Sequence, residues 1–195
     1  VNTLNNPLKE ILISILEYSI LNIRTASNNK DFKLISYELE HLPKLIDLLM
    51  DVRLLKDYMQ SSIKKYLEQI KDCYENPIED LWNELQNIFE NQTQNVLILD
   101  EMDMVLIKIV SIGIKNISSF MAAKDYRNIF IEAYHIHNIP NIITSKKKEE
   151  MIDYYLRIER KQYLKEGDRV ARQNFESVWK EFFSIIKPKK RFIFF

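Results

Sequence analysis

Residues 8–32, LKEILISILEYSILNIRTASNNKDF, decide how this chain reads, because they recur 94 positions later as residues 102–126, MDMVLIKIVSIGIKNISSFMAAKDY. The agreement goes beyond apolar periodicity. Ile20, Asn22 and Ile23 fall on Ile114, Asn116 and Ile117, and Lys30-Asp31-Phe32 falls on Lys124-Asp125-Tyr126. Glu38 and His41 continue the register onto Glu132 and His135. From there an offset of 97 carries Pro43 onto Pro140, Tyr58 onto Tyr155, Tyr66-Leu67 onto Tyr163-Leu164 and Trp82 onto Trp179, so the only two tryptophans correspond. Three extra residues fall within 133–138 of the second copy.

The expected fold is an all-α, internally duplicated helical bundle with about four helices per copy. The copies run over residues 1–98 and 99–195 and pack as one compact body about a pseudo-twofold axis. Residues 8–27 and 101–121 have apolar side chains near helical spacing, in stripes so broad that little polar surface remains. Such helices belong at the centre, and the expectation is that they pack on each other. Asp100 is the expected N-cap of the second, with Asp103 three positions on. A second helix begins after Asp31 or Asp125 and is expected to stop before Pro43 or Pro140. A third covers 51–72 and 147–166, and a fourth 78–91 and 169–186. Pro77 begins the fourth helix in the first copy, and Gly167-Asp168 makes the same break in the second. The linker between the copies is too short to hold two separate beads apart.

Composition excludes several function classes. With two glycines in 195 residues, Gly113 and Gly167, no glycine-rich phosphate cradle exists, which removes P-loop and dinucleotide-fingerprint enzymes. Lys plus Arg equals Asp plus Glu at 28 each, so no global field draws in nucleic acid or an anionic membrane. The single cysteine, Cys73, forms no internal disulfide, and its acidic neighbours Asp72 and Glu75 do not activate a thiol. The longest apolar run, residues 104–114, is short for a membrane span. A cytoplasmic setting is the expectation, and heavy use of Ile, Asn and Lys suggests an AT-rich bacterial or phage genome.

One constellation has chemical potential: Glu38 with His41, and Glu132 with His135. A Glu and a His three apart share a helix face and can bind one metal, and di-iron carboxylate bundles use that device twice. Those bundles also need a carboxylate from each of two further helices. Glu10 or Glu17 could serve in the first copy, but their counterparts are Met104 and Ser111. The resemblance to di-iron proteins is thus limited to two four-residue motifs. The simpler expectation is that His41 and His135 sit near helix C-termini and hydrogen-bond free carbonyls. A zinc site of Glu132, His135 and His137 needs local unwinding, since residues two apart on a helix diverge.

The C-terminal stretch combines Lys189, Lys190 and Arg191 with Phe192, Phe194 and Phe195. Docking onto its own fold is the first expectation for it, partner binding the second, and nucleic acid is disfavoured. No assembled reactive set stands out. The functional expectation is a non-catalytic helical protein–protein interaction module of unidentified partner, in the broad manner of regulators or toxin-neutralising immunity proteins. It is expected to be a monomer or homodimer and to need no cofactor. The alternative is a metal-dependent carboxylate-bundle enzyme, with iron or zinc held by the paired Glu-x-x-His motifs.

Overall fold

A computed structural model describes residues 6–71, 78–91 and 97–186. Among them there is no strand, and helices account for nearly everything. Cys73, Asp72, Glu75, Pro77 and the basic, aromatic stretch from Lys189 through Lys190, Arg191, Phe192 and Phe194 to Phe195 lie outside the described residues.

The chain begins with α1 (Pro7–Asn29), whose N-cap Asn6 accepts from the Leu8 amide at 3.2 Å. Lys30 closes it in the left-handed conformation at φ 57°, its amide bonded to Ser27 O while the Asp31 amide reaches Ala26 O. Asp31 then caps α2 (Phe32–Met50) through the Leu34 amide at 3.0 Å. The same sequence of devices recurs further along. Asp100 opens α6 (Glu101–Ala122) with a reciprocal capping box to Asp103, as expected. Lys124 is left-handed at φ 56°, and Asp125 caps α7 (Tyr126–Ile136) through the Asn128 amide at 3.1 Å. A left-handed lysine is disfavoured locally, and at both corners its cost is offset by local helix-end bonds, from the Asp31 amide to Ala26 O at 2.8 Å and from the Asp125 amide to Phe120 O at 2.9 Å.

These four helices form the centre. Leu8, Leu12, Ile15, Leu16, Ile20 and Ile23 of α1 are fully buried, as are Val105, Leu106, Ile109, Val110 and Ile117 of α6. Each such side chain contributes about 2 kcal/mol of transfer free energy. The expected face-to-face contact of α1 with α6 is not the main one. Instead α1 packs against α2 and α7, and α6 against α7 and α2. Their apolar surfaces are wide enough to serve two neighbours at once, which places the two first helices across the centre from one another. By length and mean hydropathy α6 is long and apolar enough to cross a membrane, which its most apolar stretch, residues 104–114 with Lys108 inside it, did not register. In this fold it is a core helix, and its Lys108 pairs with Glu181 at 2.8 Å.

Two helix boundaries differ from expectation. Helix α2 does not stop before Pro43 but runs through it to Met50. Pro43 lies on the exposed side, while Leu42, Leu45, Ile46, Leu48 and Leu49 are buried. Their burial outweighs the roughly 3 kcal/mol that an interior proline costs. In the second half α7 does end early, at Ile136, and α8 (Ile139–Thr144) restarts with Pro140 in its first turn. The three additional residues are absorbed at this break.

The expected third helix is divided by a wider π turn in both halves. After a 3₁₀ turn (Val52–Leu54), α3 (Leu55–Tyr58) passes through π-helical Met59–Ile63 into α4 (Lys64–Ile70). Likewise α9 (Lys148–Tyr154) passes through π-helical Tyr155–Glu159 into α10 (Arg160–Glu166). A π turn inserts a residue into the helical register and re-aims the side chains around it. The last layer is α5 (Ile78–Asn91) against α1, and α11 (Arg169–Asn174) with α12 (Glu176–Ile186) against α6. The expected fourth helix of the second half is broken at Phe175, which is fully buried.

Candidate functional site

The paired Glu and His residues are buried in two separate clusters. Glu38 of α2 is fully buried; its Oε1 accepts from Asn22 Nδ2 at 2.7 Å, and the Tyr66 hydroxyl lies 3.1 and 3.0 Å from its two oxygens. Glu132 of α7 has the same surroundings: Oε2 accepts from Asn116 Nδ2 at 3.2 Å and Oε1 from the Tyr163 hydroxyl. Asn116 is itself tied down by Ala171 O and by Asn174. In one cluster the π turn lies between Tyr58 and Tyr66; in the other it begins at Tyr155 itself, ahead of Tyr163.

Each imidazole lies flat on the tyrosine that serves the carboxylate. His41 stacks on Tyr66 at 3.9 Å and 10°, and His135 on Tyr163 at 3.9 Å and 11°. One ring nitrogen of each histidine meets a second tyrosine hydroxyl, Tyr58 for His41 and Tyr155 for His135. Trp82 and Trp179 stand edge-on to the two rings at 5.7 and 6.0 Å. The expected carbonyl-capping role is therefore corrected for His41, which lies in the middle of α2. His135 does fall in the last turn of α7, yet it too bonds a tyrosine.

Burial dominates the electrostatics. It pushes both carboxyls up, Glu38 to about 7 and Glu132 to about 7, against the opposing pull of the asparagine and tyrosine donors. It pushes both imidazoles down, His41 to about 3 with help from Lys44, and His135 to about 3 with help from Arg160. The histidines are thus neutral across the physiological range. Tyr66 and Tyr163 rise well above the ordinary phenol value because burial and the neighbouring carboxyl both disfavour a phenolate.

A cleft lies over each cluster. One, of about 190 Å³, has His135 and Tyr163 in its lining, with Phe130, Tyr134, Glu159 and Glu166 around them. The other, of about 140 Å³, is lined by His41 and Tyr66 together with Tyr37, Tyr58, Lys44 and Lys65. The two Glu-His pairs therefore do not face a common cavity. Among the described residues no group of three or more His, Cys, Asp or Glu side chains is placed to hold a metal ion. His137 lies just past the end of α7, half-buried and held below its ordinary pKa by burial and by Arg24. It is not gathered with Glu132 and His135 into such a group.

Several participants escaped the sequence reading. Asn22 and Asn116 matched in the alignment but read only as matches, although an asparagine inside an apolar stripe, repeated at the same offset, signals a buried polar partner. Tyr58, Tyr66, Tyr155 and Tyr163 read as core residues, and their hydroxyls proved to be what satisfies Glu and His. No family model, curated protein or solved structure matches the chain.

Proposed function

We propose that the chain is a non-catalytic, internally duplicated binding module, its halves (residues 1–98 and 99–195) related by a pseudo-twofold axis that runs along the central four helices. The recurrence of caps, left-handed corners and Glu–Asn–Tyr–His clusters at offsets of 94 and 97, with π turns at an offset of 96, supports the duplication. In this reading the internal contact between halves stands in place of a homodimer interface. The single cysteine suits a reducing, cytoplasmic compartment.

The observation that carries the non-catalytic reading is that both carboxyls are satisfied from within: each accepts from two internal donors, and neither is among the residues that line the two clefts. Each imidazole is stacked and tied to a tyrosine through one nitrogen, while the other, His41 Nε2 and His135 Nδ1, is buried without a hydrogen-bond partner. A carboxyl acting as general acid or base needs a face open to substrate. A metal ligand needs further donors pointing at the same ion. The clefts above the clusters are smaller than the roughly 300 Å³ at which small-molecule sites begin; they suit one side chain of a protein partner. In the second half, Glu159 Oε2 is buried without a hydrogen-bond partner at the edge of an aromatic cleft. That arrangement favours a lysine or arginine delivered by the partner.

A photo-crosslinker placed at Gln162, within the second cleft, tests this in the native host. One stoichiometric protein adduct is expected, lost on Glu159→Gln and absent when the crosslinker sits at exposed Lys115. No adduct, or the same adducts from both positions, overturns the reading. Stoichiometric iron or zinc retained after dialysis, and lost in Glu38→Gln/Glu132→Gln, would establish the metal-dependent alternative instead.

A further inference from the structure

The largest of the clefts described here is not over either cluster but at the outer edge of the second half, where α10, α11 and α12 meet. It measures about 370 Å³, and Arg160, Arg169 and Arg172 all line it, with Trp179 behind and Glu176 as its one acid. Its volume falls inside the small-molecule range that the other clefts miss.

Three guanidiniums in one concavity repel each other unless something answers their charge. Among the described residues none of the three forms an ion pair. Asp168, next to Arg169 in sequence, is already occupied in capping α11 through the Val170 and Ala171 amides at 2.8 and 3.1 Å. Arg160 is clamped, with its guanidinium carbon 4.7 Å from the Trp179 ring centre and 5.0 Å from that of Phe183, and its Nε is buried without a partner. Arg172 is fixed by the carbonyls of Leu164 and Asp168. Two of the forks are therefore held in place before any ligand arrives, which lowers the ordering cost of binding, while Arg169 is exposed at the rim.

The sequence of the first half does not repeat these arginines. At the offset of 97 the three arginines correspond to Ile63, Asp72 and Glu75, so two of the three positions carry the opposite charge, while the tryptophan is kept. A general requirement of the fold would not reverse sign between halves. We infer that the cleft of Arg160, Arg169 and Arg172 is a binding site, special to the second half, for a small organic ligand bearing a phosphate group. Planar guanidiniums match phosphate oxygens in pairs. A dianion also answers more than one of them, which a single carboxylate does less well.

The test is calorimetric titration of the full chain with phenyl phosphate, in parallel with phenylacetate and a short phosphoserine peptide. Saturable one-to-one binding of phenyl phosphate is expected, weakening as salt is raised. Arg169→Ala and Arg160→Met are each expected to weaken it by roughly tenfold, in line with the loss of one charge-assisted contact. Lys161→Ala, an exposed neighbour outside the cleft, should leave it unchanged. Thermal melts report whether the variants fold; should Arg160→Met fail to, exposed Arg169→Ala decides. Absence of saturable binding, or equal weakening by Lys161→Ala, overturns the site. Phenylacetate binding as tightly overturns the choice of phosphate, and tighter binding of the peptide overturns the small ligand.

Discussion

Lys9 and Asp103 form an ion pair although they stand 94 positions apart, the same offset that aligns the first helix of one half with that of the other. Phe32 and Tyr126, also 94 apart, meet edge to face at 5.5 Å beyond the far end of α1. A residue touching its own counterpart is what a twofold axis produces. Two such contacts at opposite ends of α1 support the proposed axis. On that proposal a true homodimer would bring like charges together at the first contact, where this chain has a lysine facing an aspartate. Asp103 is 1% exposed and also receives Lys148. Asp103→Asn is therefore expected to lower unfolding stability by about 3 kcal/mol. Lys9→Met should cost only about 1 kcal/mol because Lys148 still answers the carboxylate. Urea unfolding checks both, and equal losses would refute the account.

The two clusters set opposing pH dependences. A carboxyl raised to about 7 holds its proton in the folded state when the unfolded chain has released it, so its contribution falls as pH rises from about 4.5 to about 7. An imidazole lowered to about 3 stays neutral in the fold while the unfolded chain protonates, so its contribution falls as pH drops from about 6.5 towards 3. Between about 4.5 and 6.5 the two slopes offset each other. Denaturant titrations of the native protein should show a plateau there, as far as these four groups decide it. In Glu38→Gln/Glu132→Gln the histidine slope stands alone, and stability should decline from pH 6.5 downward by about 1.4 kcal/mol per pH unit for each histidine. A variant whose profile matches the native one would contradict the assignment of either pair.

The two tyrosines of each cluster have separable roles. Tyr66→Phe removes the hydroxyl shared by both oxygens of Glu38 and leaves Asn22 alone, which should cost about 1 to 3 kcal/mol. Because that donor favours the ionised carboxyl, Glu38 should then titrate higher than about 7. Tyr58→Phe takes a partner from His41 instead and should leave the Glu38 titration much closer to its native position. Carbon-detected NMR of the glutamate carboxyls distinguishes them; equal shifts in both variants would contradict this division.

How far the sequence discloses this arrangement depends on the length scale of the signal. Caps at Asp31, Asp100 and Asp125 are local, each involving an amide three residues away, and were legible. The broad stripes of α1 and α6 marked them as central but not which neighbours would cover them, since apolar burial is non-directional. Pro43 misled because a local preference was overridden by the buried face of α2. The π turns left no mark, as they depend on how Tyr58 and Tyr155 must be aimed. The Glu-His spacing drew attention to four buried residues, but not to the partners of the two carboxyls, which come from 16 to 31 positions away. The arginine cleft was legible in principle, through the charge reversal at 72 and 75 against 169 and 172. Matching only the similarities between halves hid it.

Gly113 sits where the two halves differ in sequence inside the core. Its counterpart in the first half is Ser19, yet a Cβ at Gly113 would lie 2.5 Å from Ile136 Cγ2 and 2.9 Å from its Cδ1. Both atoms belong to a fully buried side chain at the end of α7, next to the break that absorbs the additional residues. Two effects then compete in Gly113→Ala. Replacing a mid-helix glycine gains about 1 kcal/mol in backbone propensity, while overpacking a filled site costs about 1 to 3 kcal/mol. The second should win, giving a net loss of about 1 kcal/mol in the native background. With Ile136→Ala the obstruction is gone, and the same substitution should become stabilising. A double-mutant cycle by urea unfolding isolates the coupling, expected at about 1 to 3 kcal/mol. A cycle that closes additively would mean the helices part freely at this point, and the close approach of α6 to α7 would lose its explanation.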